Sequence, residues 1–204
     1  REYVGQLIKY DKKFLIIGHQ NGIKYKEIFP LFVENKIWLG YGFKGSAGHF
    51  LSPYEDIATA SDHRKDMIRV SGVTGFTNME IPKRNEEMDL ICKYSPEEYP
   101  KFENFDAINV NKTNDIPRDY EGYMGVPITF MDKFNPNQFE LIGVGIANLG
   151  LSIGIKPYKP EHKAYRKNIQ KRGAVDGDLY MMDGKEVIVP YTRIIIRNKY
   201  PQTI

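Results

Sequence analysis

Seven cations crowd one stretch of this chain. Lys156, Lys159, Lys163, Arg166, Lys167, Lys171 and Arg172 fall between residues 156 and 172, against Glu161 alone, with Tyr158 and Tyr165 among them. Cations neutralise phosphates and flat rings pack on sugar or base, so the block suits a nucleic-acid surface. It equally suits a solubilising surface helix. Lys163, Lys167 and Lys171 recur every four residues, a spacing that puts them on one face of a helix. Arg193 and Arg197 flank Ile194-Ile195-Ile196 on one face of an expected strand and are further candidates for phosphate contact. The histidines, His19, His49, His63 and His162, show no HxH, HExxH or HxxxH spacing, which speaks against zinc and against a Ser/His/Asp triad. Gly143-Val144-Gly145 is a lone GxG inside an apolar run and reads as a glycine-containing strand.

These residues need elements to position them. Tyr3, Val4, Leu7 and Ile8 form the apolar stripe of a short first helix. Phe14-Leu15-Ile16-Ile17, closed by Gly18, reads as a strand buried on both faces. A helix over 25–35, kinked or restarted at Pro30, and a strand over 36–41 follow. Helix, strand, helix, strand with short connections is the rhythm of an α/β layer. His19, Gln20 and Asn21 then stand at the carboxyl end of the first strand, where such sheets place ligands, or in a plain strand-to-helix turn. Residues 42–66 are too long for an idle connection and read as a mobile functional loop. Strands are expected over 68–81, 88–94, 128–131, 139–146, 185–189 and 193–197, with a loop-rich stretch after Tyr94.

Composition narrows the class. The chain has 204 residues, 41% hydrophobic and 13% aromatic, with a net charge of +3. That is enough apolar and aromatic material for a sizeable core, which excludes disorder of the whole chain. No apolar run approaches the length of a membrane span. Cys92 is the single cysteine, so an internal disulfide framework is excluded and a reducing, cytoplasmic setting is expected. Residues 80–121 carry eleven acids against six bases, a distribution read as a solvated face. A strand at Phe14 with a single helix before it lacks neighbours on both edges, so its partners are expected upstream, in a longer protein.

Several blocks resemble one family. REYVGQLIKYDKKFLIIG, KYKEIFPLFVENKIWLGY, GFTNMEIPKR, YSPEEYPKFENFDAINV, GYMGVPITFMDKFNPNQFELIG and YTRIIIRNK occur in that order. Together they are similar to the C-terminal portion of the EcoRI-type adenine-specific DNA methyltransferases. Residues 42–66 and 149–184 match least.

The resemblance implies adenine N6-methylation of double-stranded DNA in a restriction-modification setting, with S-adenosylmethionine as methyl donor. The implied fold class is α/β: a partial Rossmann-like methyltransferase sheet over 1–94 and a loop-rich α+β DNA-recognition lobe over 95–204. The family's glycine-rich cofactor motif and its Asn-Pro-Pro-Phe motif lie upstream of the matching segment. Neither is present here, and Asn135-Pro136-Asn137 lacks the Pro-Pro-aromatic that positions the adenine amino group. The chain alone is therefore not expected to transfer a methyl group, and the missing N-terminal half is an expected partner. An extruded base needs a ring to stack on and hydrogen-bond partners for its edge. Phe76, Thr77 and Asn78 offer that set, with His19 and Asn21 as further candidates for the adenine or methionine pocket. Without the family, Phe76 reads as core and Asn78 as a turn residue. The resemblance also assigns the Lys156 to Arg172 block to target recognition. The alternative is a non-catalytic DNA-binding or interaction module, a degenerate remnant of a methyltransferase.

Overall fold

The apolar stripe of Tyr3, Val4, Leu7 and Ile8 does produce a helix, α1 (Glu2–Lys9), with Val4 buried beneath it. In this computed structural model residues 1–42, 47–58 and 62–202 are described, and they form two compact units, Arg1–Arg84 and Asn85–Ile204.

In the first unit α1 leads into β1 (Leu15–His19), a 3₁₀ turn at Gln20–Lys24, α2 (Phe29–Val33), β2 (Trp38–Leu39), β3 (Ala47–Leu51), β4 (Met67–Ser71) and β5 (Val73–Thr77). The helix expected over 25–35 shrinks to α2 because Pro30 lies in its first turn, where the missing N–H leaves no bond unmade. The sheet order is β1-β5-β2, with β5 antiparallel to both neighbours. The unit is thus mixed α/β, and β1 and β2 run in the same direction with a reversed strand between them. Among the described residues β3 and β4 pair only with each other. Residues 43–46 and 59–61 of the expected 42–66 loop lie outside the described residues; its 47–51 segment is a paired strand.

β1 is not buried on both faces. Leu15 is 60% and Ile17 58% exposed, whereas Phe14 is buried and Ile16 half-buried. A continuous apolar run signals an intended cover on each face but not which segment supplies it. Side chains of the β5 end fix where β1 begins. Thr77 Oγ1 donates to the Phe14 carbonyl (2.7 Å), Asn78 Oδ1 accepts the Phe14 N–H (3.0 Å), and Asn78 Nδ2 donates to the Lys12 carbonyl (2.9 Å).

The second unit is built on β6 (Ala107–Asn109), β7 (Tyr123–Pro127), β8 (Phe139–Gly145) and β11 (Arg193–Asn198), in the order β6-β7-β11-β8. β6 is parallel to β7, and the other pairs are antiparallel. α3 (Ala147–Ser152), α4 (Pro160–Asn168) and the hairpin β9 (Met181–Asp183) and β10 (Glu186–Ile188) complete it. Gly143 and Gly145 lie in β8, as the strand reading expects, and Ile153 and Leu179 occupy the space side chains there would need. Two expected strands are absent. Residues 128–133 form a 3₁₀ helix that buries Ile128, Phe130 and Met131, because a short apolar run fits either geometry. Over 88–94 pairing is limited to one isolated bridge of Cys92 with Pro117, and at the start of the segment the Gln138 side chain donates to the Met88 carbonyl and accepts its N–H, both at 2.8 Å.

One side chain joins three segments here. Asn104, 3% exposed, donates through Nδ2 to the carbonyls of Lys156 (2.9 Å) and Asp178 (2.8 Å) and accepts the Tyr180 N–H (3.3 Å). Asn104→Ala leaves these groups unpaired in the interior and should lower unfolding free energy by about 2–4 kcal/mol. Urea denaturation measures it, and a loss within error would mean that water replaces the amide.

Candidate functional site

In the first unit the residues considered for a base pocket divide between the two ends of β1. Antiparallel pairing sets Leu15 against Thr77 and His19 against Val73, so Thr77 and Asn78 sit at the opposite end of the strand from His19. Their side chains hold the start of β1, as above. Phe76, His19 and Asn21 do come together. They line a pocket of about 410 Å³ with Arg1, Val4, Ile16, Gly18, Gly22, Tyr25 and Ile28.

Each wall has a local cause. Phe76 is 7% exposed, meets Phe32 edge-on at 6.2 Å, and lies against Gly18, where an added Cβ would come within 3.1 Å of the ring. Gly18 thus lets the aromatic reach the pocket floor. The His19 ring rests on Gly72, whose φ of +67° and missing side chain make room for it. His19 Nδ1 accepts the Asn21 N–H at 3.0 Å and so caps the 3₁₀ turn, which places the ring proton of the neutral form on Nε2. Arg1 stands 5.4 Å over the Tyr25 ring and 3.7 Å from a Glu27 carboxylate oxygen. Tyr25 and Arg1 were not legible as pocket residues. The only cue was an aromatic following the Gly22 turn.

The lining is mostly apolar, with Arg1, His19 and Asn21 as its polar groups. It can receive a flat ring and hydrogen-bond its edge. It contains no carboxylate to take ribose hydroxyls, so these residues by themselves do not fit S-adenosylmethionine.

In the second unit the basic block separates into paired and unpaired cations. Lys159 Nζ bonds Glu103 at 2.9 Å and Lys163 Nζ bonds Asp176 at 2.7 Å. The Lys163 ammonium, with the Tyr158 N–H, holds the Asp176 carboxyl below the usual carboxylate range, and Glu103 raises the Lys159 pKa. Arg166 donates to the Gly173 carbonyl and to Gln170. Lys156, Lys167, Lys171 and Arg172 are exposed and have no side-chain partner among the described residues. The expected helical triad fails at its third member. α4 ends at Asn168, and Lys171 lies beyond it with φ at +54°.

One further expectation is corrected. Tyr158 is not available to pack on a sugar, because it is buried and stacked on Tyr180 at 4.3 Å, with burial pushing its phenol pKa up. The two candidates for phosphate contact on β11, Arg193 and Arg197, differ in exposure. Arg193 is buried, and Arg197 bonds Glu140 at 2.6 Å. No group of three or more His, Cys, Asp or Glu able to hold a metal occurs among the described residues, and no helix there is long and apolar enough to cross a membrane.

Comparison with known proteins gives the following. The family described as "Adenine-specific methyltransferase EcoRI" matches residues 1–199. The Type II methyltransferase M.EcoRI of Escherichia coli is 43% identical over 206 residues, covering 98% of this chain and 54% of that protein. The Type II methyltransferase M.MpnI of Mycoplasma pneumoniae is 35% identical over 150 residues, covering 70% of this chain and 47% of that protein. The chain thus spans about half the length of the curated relatives it matches. No solved structure matches.

The packing around Phe76 predicts that Phe76→Ala lowers stability by about 3–5 kcal/mol, as for a buried aromatic. Denaturant unfolding tests this. A loss under about 1 kcal/mol would mean that the ring is a pocket surface and not a structural floor.

Proposed function

The chain belongs to the EcoRI adenine-specific methyltransferase family, and from that premise we propose that it is the target-binding portion of a restriction-modification DNA adenine N6-methyltransferase. The observation that carries this reading is the set of unpaired cations, Lys156, Lys167, Lys171 and Arg172, on a segment where carboxylates neutralise Lys159 and Lys163 and a carbonyl and an amide hold Arg166. Unpaired surface charge that the fold does not use suits phosphates.

The base, in this reading, enters the Phe76 pocket. Tyr25 offers its exposed ring at the rim, and His19 and Asn21 offer hydrogen bonds to the base edge. Thr77 and Asn78 contribute by fixing β1 and, with it, the pocket wall. Methyl transfer itself belongs to the parent protein. When bound there, S-adenosylmethionine would supply the methyl group for the adenine amino nitrogen. The upstream half brings the glycine-rich and Asn-Pro-Pro-Phe motifs for cofactor and base positioning. It also covers Leu15 and Ile17 and pairs with the open edge of β1, an arrangement supported by the exposure of both side chains.

A non-catalytic DNA-binding module is the second reading, favoured by the lack of both motifs in this sequence. Tritiated S-adenosylmethionine binding by the parent protein, intact upstream, separates the two.

The experiment for the common element is duplex binding against salt. Changing Lys156, Lys167, Lys171 and Arg172 to Gln should weaken binding to every sequence and flatten the log–log salt slope by about three to four. Lys159→Gln with Lys163→Gln should change it by less than about one, because those charges are already paired. Equal effects, or none, would remove the phosphate-binding assignment.

A further inference from the structure

Arg193 opens β11 on the sheet face that also carries Asn109 of β6. Gly125 on β7 lies between them, and a side chain there would crowd the Phe102 ring at 2.7 Å and the Arg193 Cβ at 3.4 Å. The arginine is 8% exposed. Its Nε donates to Asn109 Oδ1 at 2.9 Å, and its Nη2 reaches Asn111 Oδ1 at 3.5 Å. Asn109 Nδ2 donates to the same Asn111 oxygen at 2.8 Å, so the two amides form one holder for the guanidinium.

Both partners are neutral. Among the described residues no carboxylate pairs with Arg193. A guanidinium does not escape burial by losing its proton within the physiological range, although burial does move its pKa downward. An uncompensated charge at this depth is costly, and amide oxygens orient it without neutralising it. The one nitrogen left over, Nη1, has no protein partner and is not among the fully buried unsatisfied atoms, so it opens onto solvent. Beside it, Asn111 is exposed with a side-chain N–H₂ that has no partner among the described residues, and the exposed Lys112 ammonium follows. All three groups donate, and none accepts.

We propose that Arg193, held by Asn109 and Asn111, is an anion site that takes a phosphate group, with the exposed Lys112 the next residue along the chain from its holder. Its source is a phosphodiester of duplex DNA, a choice that rests on the DNA-binding reading above. The site is separate from the Lys156 to Arg172 block in sequence and in construction. There the unpaired cations are exposed and without a side-chain partner among the described residues; here one guanidinium is fixed in advance, which reduces the entropy lost on binding.

Asn111→Asp tests this against a purely structural role. The substitution puts a carboxylate where Arg193 Nη2 and Asn109 Nδ2 already donate. A structural clip would be served as well or better, with the melting temperature held and duplex affinity falling no further than in Gln202→Glu, which adds the same charge at an exposed position at the end of the described residues. An anion site would be filled from within. Duplex affinity should then drop about tenfold below the Gln202→Glu control, with a salt slope shallower by about one. The second readout uses the wild-type chain, so it does not depend on the variant folding. Inorganic phosphate should shift the Arg193 Nε–H resonance saturably. If the wild-type chain binds no duplex but phosphate shifts that resonance, the DNA reading fails while the site stands with free phosphate as its ligand. Duplex binding with Asn111→Asp equal to its control, or a resonance unmoved by both duplex and phosphate, overturns the site.

Discussion

The first unit depends on β5 running between β1 and β2 against the direction of both. All five residues from Val73 to Thr77 are buried, and each end of the strand has a separate task. At one end Thr77 and Asn78 fix the entry of β1. In the middle, Phe76 passes under Gly18 to floor the pocket. At the other, Gly72 makes the space for the His19 ring just before β5 begins. A one-residue slip of β5 would turn Phe76 to the opposite face and abolish floor and tether together. The pocket is therefore a property of strand register more than of the loops at its rim.

Much of the element order was legible in the sequence. The stripe in α1, the apolar runs of β8 and β11, and the glycine pair of β8 all gave their structures away by period and residue type. Strand direction was not legible, because an antiparallel insertion between two parallel neighbours leaves no local pattern. Nor was the open face of β1. Leu15 and Ile17 are apolar enough for any core, and apolarity records a need for cover without saying what provides it.

Charge was read less well than hydrophobicity, for a related reason. A count over residues 156–172 treats seven cations as equivalent. Lys159 finds its acid at Glu103, 56 residues away, and Lys163 finds Asp176 beyond the end of the block. Arg193 had a plausible role in phosphate contact from its place on a strand, but its burial and its amide holder depend on Asn109 and Asn111, more than 80 residues earlier. Tyr158 shows the same limit, since its stacking partner Tyr180 lies outside any window in which the basic block would be inspected.

The amide of Asn104 reaches the carbonyls of both Lys156 and Asp178 through a single nitrogen. Residues 156 and 178 are therefore held at nearly one point, with the whole basic excursion strung between. Such a closed detour carries two kinds of position. Tyr158, stacked on Tyr180, ties it to the interior, while Lys156, Lys167, Lys171 and Arg172 lie on its outside. A protein organised this way can rewrite the charge it presents at the outer positions while the inner one keeps the detour packed.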